Sequence, residues 1–256
     1  MRKILVIGIG VGHPDHLTVQ AIAALRTLDV VLVLDKGEVK ADLLALRRLL
    51  CERYLSEKTH RVIELTDPVR DPNIADYKTR VEHWHTERVA LYEATLQAIG
   101  EHEIAGILAW GDPSLYDSTL RLLAQLRTRG RVELELEVIP GITSLSVLTA
   151  RHQIPLNRIG TSVLITTGRR LAAEGMPANA DDVVVMLDGE QAFQRVMPEG
   201  IDIYWGAYLG TPHEILRAGK LTDLRDELAN VRNQARAKHG WIMDIYLLRK
   251  TPAPST

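Results

Sequence analysis

Short runs of aliphatic residues alternate with longer amphipathic stretches through the first half of the chain. Ile4–Ile7, Val30–Leu34, Arg61–Leu65, Ile104–Ala109 and Glu133–Ile139 read as strands, and Thr18–Thr27, Ala41–Leu55, Asp76–Ile99 and Ser118–Thr128 as helices. Strands this apolar, separated by helices, predict a mostly parallel sheet covered on both faces. Right-handed crossovers then gather the carboxyl ends of the strands along one edge, where open α/β sheets bind ligands.

The pattern changes after a turn, a short helix and a second turn between Pro140 and Asn157. Val163–Thr167, Val183–Leu187, Ile201–Tyr208 and Trp241–Leu248 read as strands, with fewer helices among them (Glu190–Val196 and Leu224–Ala237). The expected fold is α/β in two domains, residues 1–155 and 156–256. The N-terminal sheet is mostly parallel and the C-terminal one smaller and mixed. The tail TPAPST reads as frayed.

Composition narrows this reading. Apolar residues are 46% of 256 and aromatic residues only 5%, with a single Phe, so Val, Ile, Leu and Ala must build the core. The 31 Lys and Arg against 33 Asp and Glu leave no basic field to hold a phosphate backbone, which argues against nucleic-acid binding. Cys51 is the only cysteine, which excludes an intramolecular disulfide and Cys-rich metal sites and suits a reducing cytoplasm. No apolar run reaches the roughly 18 residues of a membrane span. The start MRKILVIGIGVGHPD mimics a signal peptide, but glycines interrupt its apolar run and no cleavage site follows, so it reads as a first strand entering a loop.

Three loops draw the chemistry to that edge. The first strand runs into Gly8-Ile9-Gly10-Val11-Gly12-His13-Pro14-Asp15, the fourth into Trp110-Gly111-Asp112-Pro113-Ser114-Leu115-Tyr116, and the fifth into Pro140-Gly141-Ile142-Thr143-Ser144. Glycine after a strand lets backbone approach a ligand, and the hydroxyl residues suit helix caps. With Asp35 ending the second strand, the first loop also invites a dinucleotide reading. Its third glycine comes one position early, however, and Pro14 delays the helix.

The ordered set VIGIGVGHPDHLT, WGDPSLY, VIPGITS, HQIPLN, VVVMLDG and AYLGTPHE resembles the tetrapyrrole methylase family over about residues 3–250. These are S-adenosylmethionine (SAM) dependent C-methyltransferases of corrin and siroheme synthesis. The stretches LDKGEVKADLLALRRLLCERYL, VIELTDPVRDP, YKTRVEHWHTERVALYEATL and HGWIMDIYLLR narrow the resemblance to the deacetylating branch, which acts on precorrin-5. Many relatives carry Gly-Pro-Gly-Asp where this chain has Gly10-Val11-Gly12-His13. The resemblance implies two αβα domains with SAM folded into the cleft between them, and a homodimer. By motif, the SAM shell would be Val11, Gly111, Asp112, Leu115, Thr143 and Ser144, completed by Met186 and Gly210. Met186 would otherwise read as plain core.

Methyl transfer to an electron-rich ring carbon needs positioning rather than a nucleophile and base pair, and none is visible. Release of an acetyl group calls in addition for a base to activate water. Asp35, Asp112, Tyr116 and His213 are candidates, and Asp112 better suits loop geometry, flanked as it is by Gly111 and Pro113. A polycarboxylate substrate asks for cations at the rim. Lys36, Lys40, Arg47 and Arg48 follow the second strand and Arg169-Arg170 follow Val163–Thr167; of these, Lys36 and Arg169 lie just beyond strand ends. His83-Trp84-His85 on a helix places its two imidazoles in different directions, and His13 and His16 lack carboxylate or thiolate spacing, so no metal is expected. A methylase acting on another precorrin or on uroporphyrinogen, and a nicotinamide-dependent oxidoreductase, are the alternatives.

Overall fold

The computed structural model describes residues 1–35, 41–55 and 60–251, apart from the side chains of 35, 41–46, 48, 77 and 78. It divides into two compact units, Met1–Ile142 and Thr143–Thr256.

In the first unit β1 (Arg2–Gly8) leads through a 3-10 turn (Pro14–His16) to α1 (Val19–Leu25). Then follow β2 (Val30–Asp35), α2 (Ala41–Tyr54), β3 (Arg61–Thr66), α3 (Tyr77–Ala98), β4 (Ile104–Ala109), α4 (Thr119–Arg129) and β5 (Leu134–Ile139). The sheet order is β3-β2-β4-β1-β5, with every pairing parallel. The alternation of side chains along each strand divides the core in two. Ile4, Val6, Val30, Leu32, Ala105 and Ile107 face α3 and α4, whereas Leu5, Ile7, Val31 and Val33 face α1 and α2. That is why these strands read as unbroken apolar runs. The edge strand β5 instead turns Glu135 and Glu137 outward, 3.4 and 3.2 Å from the Lys3 ammonium, which blunts a free edge. Local signals set the helix starts: Thr18 Oγ1 accepts the Ala21 N–H at 3.0 Å and Asp76 Oδ2 the Thr79 N–H at 2.7 Å. Gly130, in the left-handed region, closes α4.

The second unit opens with α5 (Ser144–His152), followed by β6 (Val163–Thr167), α6 (Gly168–Glu174), β7 (Asp182–Met186), a 3-10 turn (Ala192–Arg195), β8 (Ile201–Ala207), β9 (Ile215–Lys220), α7 (Leu221–His239) and β10 (Asp244–Lys250). Its sheet, β6-β7-β10-β8-β9, is mixed: β6 and β7 are parallel and the other pairings antiparallel. Five strands make it no smaller than the first, contrary to expectation. The sequence reading misses β9, where glycine and charged residues dilute the apolar signal of ILRAGK, and α6, which begins on a glycine. The helix expected at Glu190–Val196 is only the 3-10 turn, and the strand expected from Trp241 starts at Asp244. The expected division at residue 155 falls after α5, but α5 packs on the second sheet: Leu148 lies against Gly206, and His152 Nε2 sits 3.1 Å from the Trp205 carbonyl oxygen.

A buried polar network fixes this second sheet. The Arg232 guanidinium, 2% exposed, donates to Asp244 (Nε to Oδ2, 2.8 Å) and to the Asp188 carbonyl. Trp205 Nε1 also donates to Asp244, and Tyr246 OH to Asp188 Oδ2 at 2.7 Å. Burial pushes the Asp244 carboxyl upward against the opposing pull of Arg232. The network holds the turn after β7 to α7 and β10.

Candidate functional site

At the carboxyl edge of the first sheet the three loops meet through glycine backbone. The Ile9 N–H bonds to Ala109 O at 2.9 Å, and beyond it Gly10 and Gly111 exchange two bonds, Gly111 N–H to Gly10 O at 2.8 Å and Gly10 N–H to Gly111 O at 3.3 Å, an antiparallel bridge that joins the first and second loops past the parallel pairing of β1 and β4. The third loop crosses them closely. A Cβ on Gly8 would lie 2.5 Å from the Gly141 amide nitrogen and 2.8 Å from Gly111 O, and no side chain fits there.

Asp112 fastens this junction. Its Oδ2 accepts the Gly141 N–H at 2.8 Å, and its Oδ1 accepts the Ser114 N–H at 2.8 Å together with the Ser114 hydroxyl. Burial alone would raise its pKa. The hydrogen bonds from Ser114 and Gly141 outweigh that and hold the carboxyl below the usual carboxylate range. Both oxygens accept hydrogen bonds from the loops, which suits Asp112 to fastening them rather than to activating water. Val11 is buried against Gly111: a Cβ at Gly111, whose φ is +69°, would lie 3.6 Å from Val11 Cγ1. Leu115 is half-buried, and Tyr116 is 44% exposed with φ +52°. An exposed aromatic held in the left-handed region is the kind of strain found where a side chain is aimed at a ligand.

In the second unit the carboxyl ends of β6, β7 and β8 share one edge, because β8 runs with β6 and β7 across the antiparallel β10. Arg169 follows β6 and is exposed, Met186 ends β7 half-buried, and Gly210 (φ +74°) follows β8. The helix α5 runs against β8, with His152 near Trp205 and Leu148 over Gly206, so its start points along β8 toward the same edge. There Thr143 Oγ1 caps the helix through the Ser146 N–H at 3.1 Å, and Ser144 is the first helical residue. Glu214 ties the parts together: Oε2 accepts the Gly210 N–H at 2.9 Å and Oε1 the Arg151 Nε at 2.6 Å. His213 is exposed beside it, its ring 4.4 Å from that of His239.

Among the catalytic candidates, Tyr116 and His213 are thus on described loops, whereas Asp35 ends β2 with its side chain outside the described residues, and Lys36 also lies outside them. Glu214 lies within AYLGTPHE but is given no role by the sequence reading, because a single acidic residue in a turn does not show what it holds. Leu187, within VVVMLDG, is likewise given none; it follows Met186 with φ +53° and 66% of its surface exposed. The dinucleotide reading finds no support at the first loop, where the 3-10 turn separates β1 from α1. His83 pairs with Glu87 at 3.6 Å, and the Trp84 ring lies under the guanidinium of Arg88 at 3.6 Å, so both are absorbed by local contacts.

The fold and site define an α/β protein whose parallel sheet presents interlocked glycine loops at its carboxyl edge, followed by a unit with a mixed sheet. The family model for tetrapyrrole (corrin/porphyrin) methylases matches residues 3–225, and the chain belongs to that family. It is 51% identical over 251 residues to a precorrin-6A synthase [deacetylating] of Sinorhizobium sp, across 98% of this chain and 96% of that one. The crystal structure of a cobalamin-synthesis-related protein from Corynebacterium diphtheriae superposes with a TM-score of 0.86 at 41% identity, covering 98% of this chain and 100% of that one. A uroporphyrin-III C-methyl transferase from Thermus thermophilus, in complex with S-adenosylhomocysteine, shares the fold at a TM-score of 0.60 and 18% identity, over 96% of this chain and 92% of that one.

Proposed function

We propose that the chain is a SAM-dependent C-methyltransferase of cobalamin synthesis that methylates precorrin-5 at C1 and releases its acetyl group as acetate, forming precorrin-6A. The near full-length likeness to a deacetylating precorrin-6A synthase carries this reading, and the glycine edge supports it from the side of geometry. Bound SAM supplies an electrophilic methyl group on a sulfonium.

The residues present suit such a group. Gly8, Gly111 and Gly141 bring backbone to the edge with no Cβ in the way, and Val11 and Leu115 offer apolar contact. We assign cofactor binding to Val11, Gly111, Asp112, Leu115, Thr143, Ser144, Met186 and Gly210. Asp112 acts through the backbone it holds. Fixing donor and acceptor in line supplies much of the acceleration.

Deacetylation needs more from the side chains. A water oxygen bonds to the acetyl carbonyl carbon, the bond from that carbon to the macrocycle breaks, and its electron pair passes into the ring system as acetate leaves. A base holding the water's proton speeds this step. Tyr116, His213 and Asp35 are our candidates, with Arg169 and Lys36 as cations for the substrate's carboxylates.

We extend the reading to a homodimer in the cytoplasm. Leu164 and Ile165, each 39% exposed on the edge strand β6, favour a covered surface there. No helix among the described residues is long and apolar enough to cross a membrane. Light scattering at micromolar concentration is expected to give the mass of two chains. Calorimetry is expected to show S-adenosylhomocysteine binding and no NAD(H) binding; the reverse would favour the oxidoreductase alternative.

A further inference from the structure

The strands β2 and β4 pair only as far as Leu32 and Ile107. Beyond that point β2 continues with β3 to Asp35, and β4 continues with β1 to Ala109. Their exits diverge, β2 toward α2 on one face of the sheet and β4 toward α4 on the other. A crevice opens where such strands part.

Arg47, reaching from α2, fills the missing pairing by donating from Nε to the Leu108 carbonyl at 3.3 Å. A cavity of about 50 Å³ lies beside it, lined by Leu34, Arg47, Arg88, Tyr92, Asp117 and Ser118 among others. Three features offer it hydrogen-bond donors. Among the described residues Arg47 hydrogen-bonds through Nε alone, which leaves its terminal nitrogens as donors. Tyr92 is 4% exposed, and no hydrogen bond joins its hydroxyl to another described residue. The helix α4 starts at this wall, and its N-cap Ser118 makes no side-chain cap bond.

One carboxylate, Asp117, also lines the space, and its Oδ1 accepts the Thr119 N–H at 2.7 Å. The guanidinium of Arg88 in the same wall is paired through Nε and Nη2 with Asp67. Burial lowers the Arg47 pKa and pushes the Tyr92 phenol up to about 12, so Tyr92 keeps its proton as a donor. One water needs roughly 10–15 Å³ of such space, so the cavity takes about four non-hydrogen atoms, the size of a carboxymethyl group.

We propose that this cavity is a carboxylate subsite in which Arg47 and Tyr92 clasp an acetate-sized group. The proposal rests on the function argued above only for the source of that group, a side-chain carboxylate of the tetrapyrrole or the free acetate released from it. Bidentate guanidinium with a phenol donor suits the two oxygens of a carboxylate.

The test uses the full chain with Arg47→Met, Arg47→Lys and Tyr92→Phe, the last two keeping charge or core volume should the first fail to fold. Sodium acetate followed by saturation-transfer NMR is expected to show binding to the wild type, weakened at least tenfold by Arg47→Met and Tyr92→Phe. With precorrin-5, a side-chain source predicts a tenfold or larger rise in KM in these variants, with S-adenosylhomocysteine affinity unchanged. A free-acetate source predicts an unchanged KM and relief of product inhibition. The proposal is overturned if wild type and variants show no difference in acetate binding, KM or product inhibition. A wild type without methyl transfer that still binds acetate through Arg47 would sink the proposed function and leave the subsite standing.

Discussion

The carboxylate of Asp112 accepts the backbone N–H of Gly141 at 2.8 Å, joining the loop after β4 to the loop after β5. Because its other oxygen holds Ser114, one side chain sets the shape of the edge on which the cofactor assignment depends.

Asp112→Ala leaves the Gly141 N–H without its acceptor and is expected to destabilise the protein by about 1–3 kcal/mol. The carboxyl is held below its unfolded value near 3.9. Its contribution is therefore present above pH ~4 and lost as pH falls through the lower folded pKa. Denaturant melts of wild type and variant should converge at low pH; a constant difference from pH 7 down to pH 2 would contradict the assignment.

Gly8→Ala places a methyl against the backbone of Gly141 and Gly111. Backbone cannot step aside as a flexible side chain does, so a loss of about 1–3 kcal/mol is expected. S-adenosylhomocysteine affinity should fall with it, because the loops must part. Gly130→Ala, with nothing within 4 Å of the added carbon, tests the contrast: its cost should come from its φ of +66° alone and leave ligand affinity untouched.

Cys51 is buried among the residues of α1 and α2, and burial, with Glu52 adding to it, pushes its thiol up to about 11. At pH 8 the native chain should react with iodoacetamide roughly a hundredfold more slowly than the unfolded chain, whose thiol has a pKa near 8.5. Equal rates would mean that α2 opens readily.

Methylation and deacetylation should separate by mutation. Tyr116→Phe and His213→Ala, assayed singly with precorrin-5 and SAM, are expected to leave methyl transfer within a few-fold. The variant that removes the base should slow acetate release by roughly 10²-fold or more. Normal acetate release in both would discharge Tyr116 and His213 and leave Asp35 to be tested as Asp35→Asn.

The first unit was legible because its physics is local. Strands buried on both faces announce themselves as apolar runs, and Ile104–Ala109 is observed with the expected bounds. The second unit was less so: β9 carries Arg217, Gly219 and Lys220, and only its pairing with β8 makes it a strand. In the site, Gly111, Asp112 and Gly141 stood out as loop residues, but the clasp between Asp112 and Gly141 spans 29 positions and leaves no pattern. Arg47 looked like one cation in a charged run, and Tyr92 like a helix residue. What unites them is the parting of β2 and β4, which depends on register.

The most direct test of the central claim is incubation of the purified chain with precorrin-5 and SAM, analysed by mass spectrometry and for free acetate. The account predicts one added methyl, one lost acetyl group and one equivalent of acetate per turnover. Methylation with the acetyl group retained and no acetate formed, or turnover of uroporphyrinogen in place of precorrin-5, would contradict it.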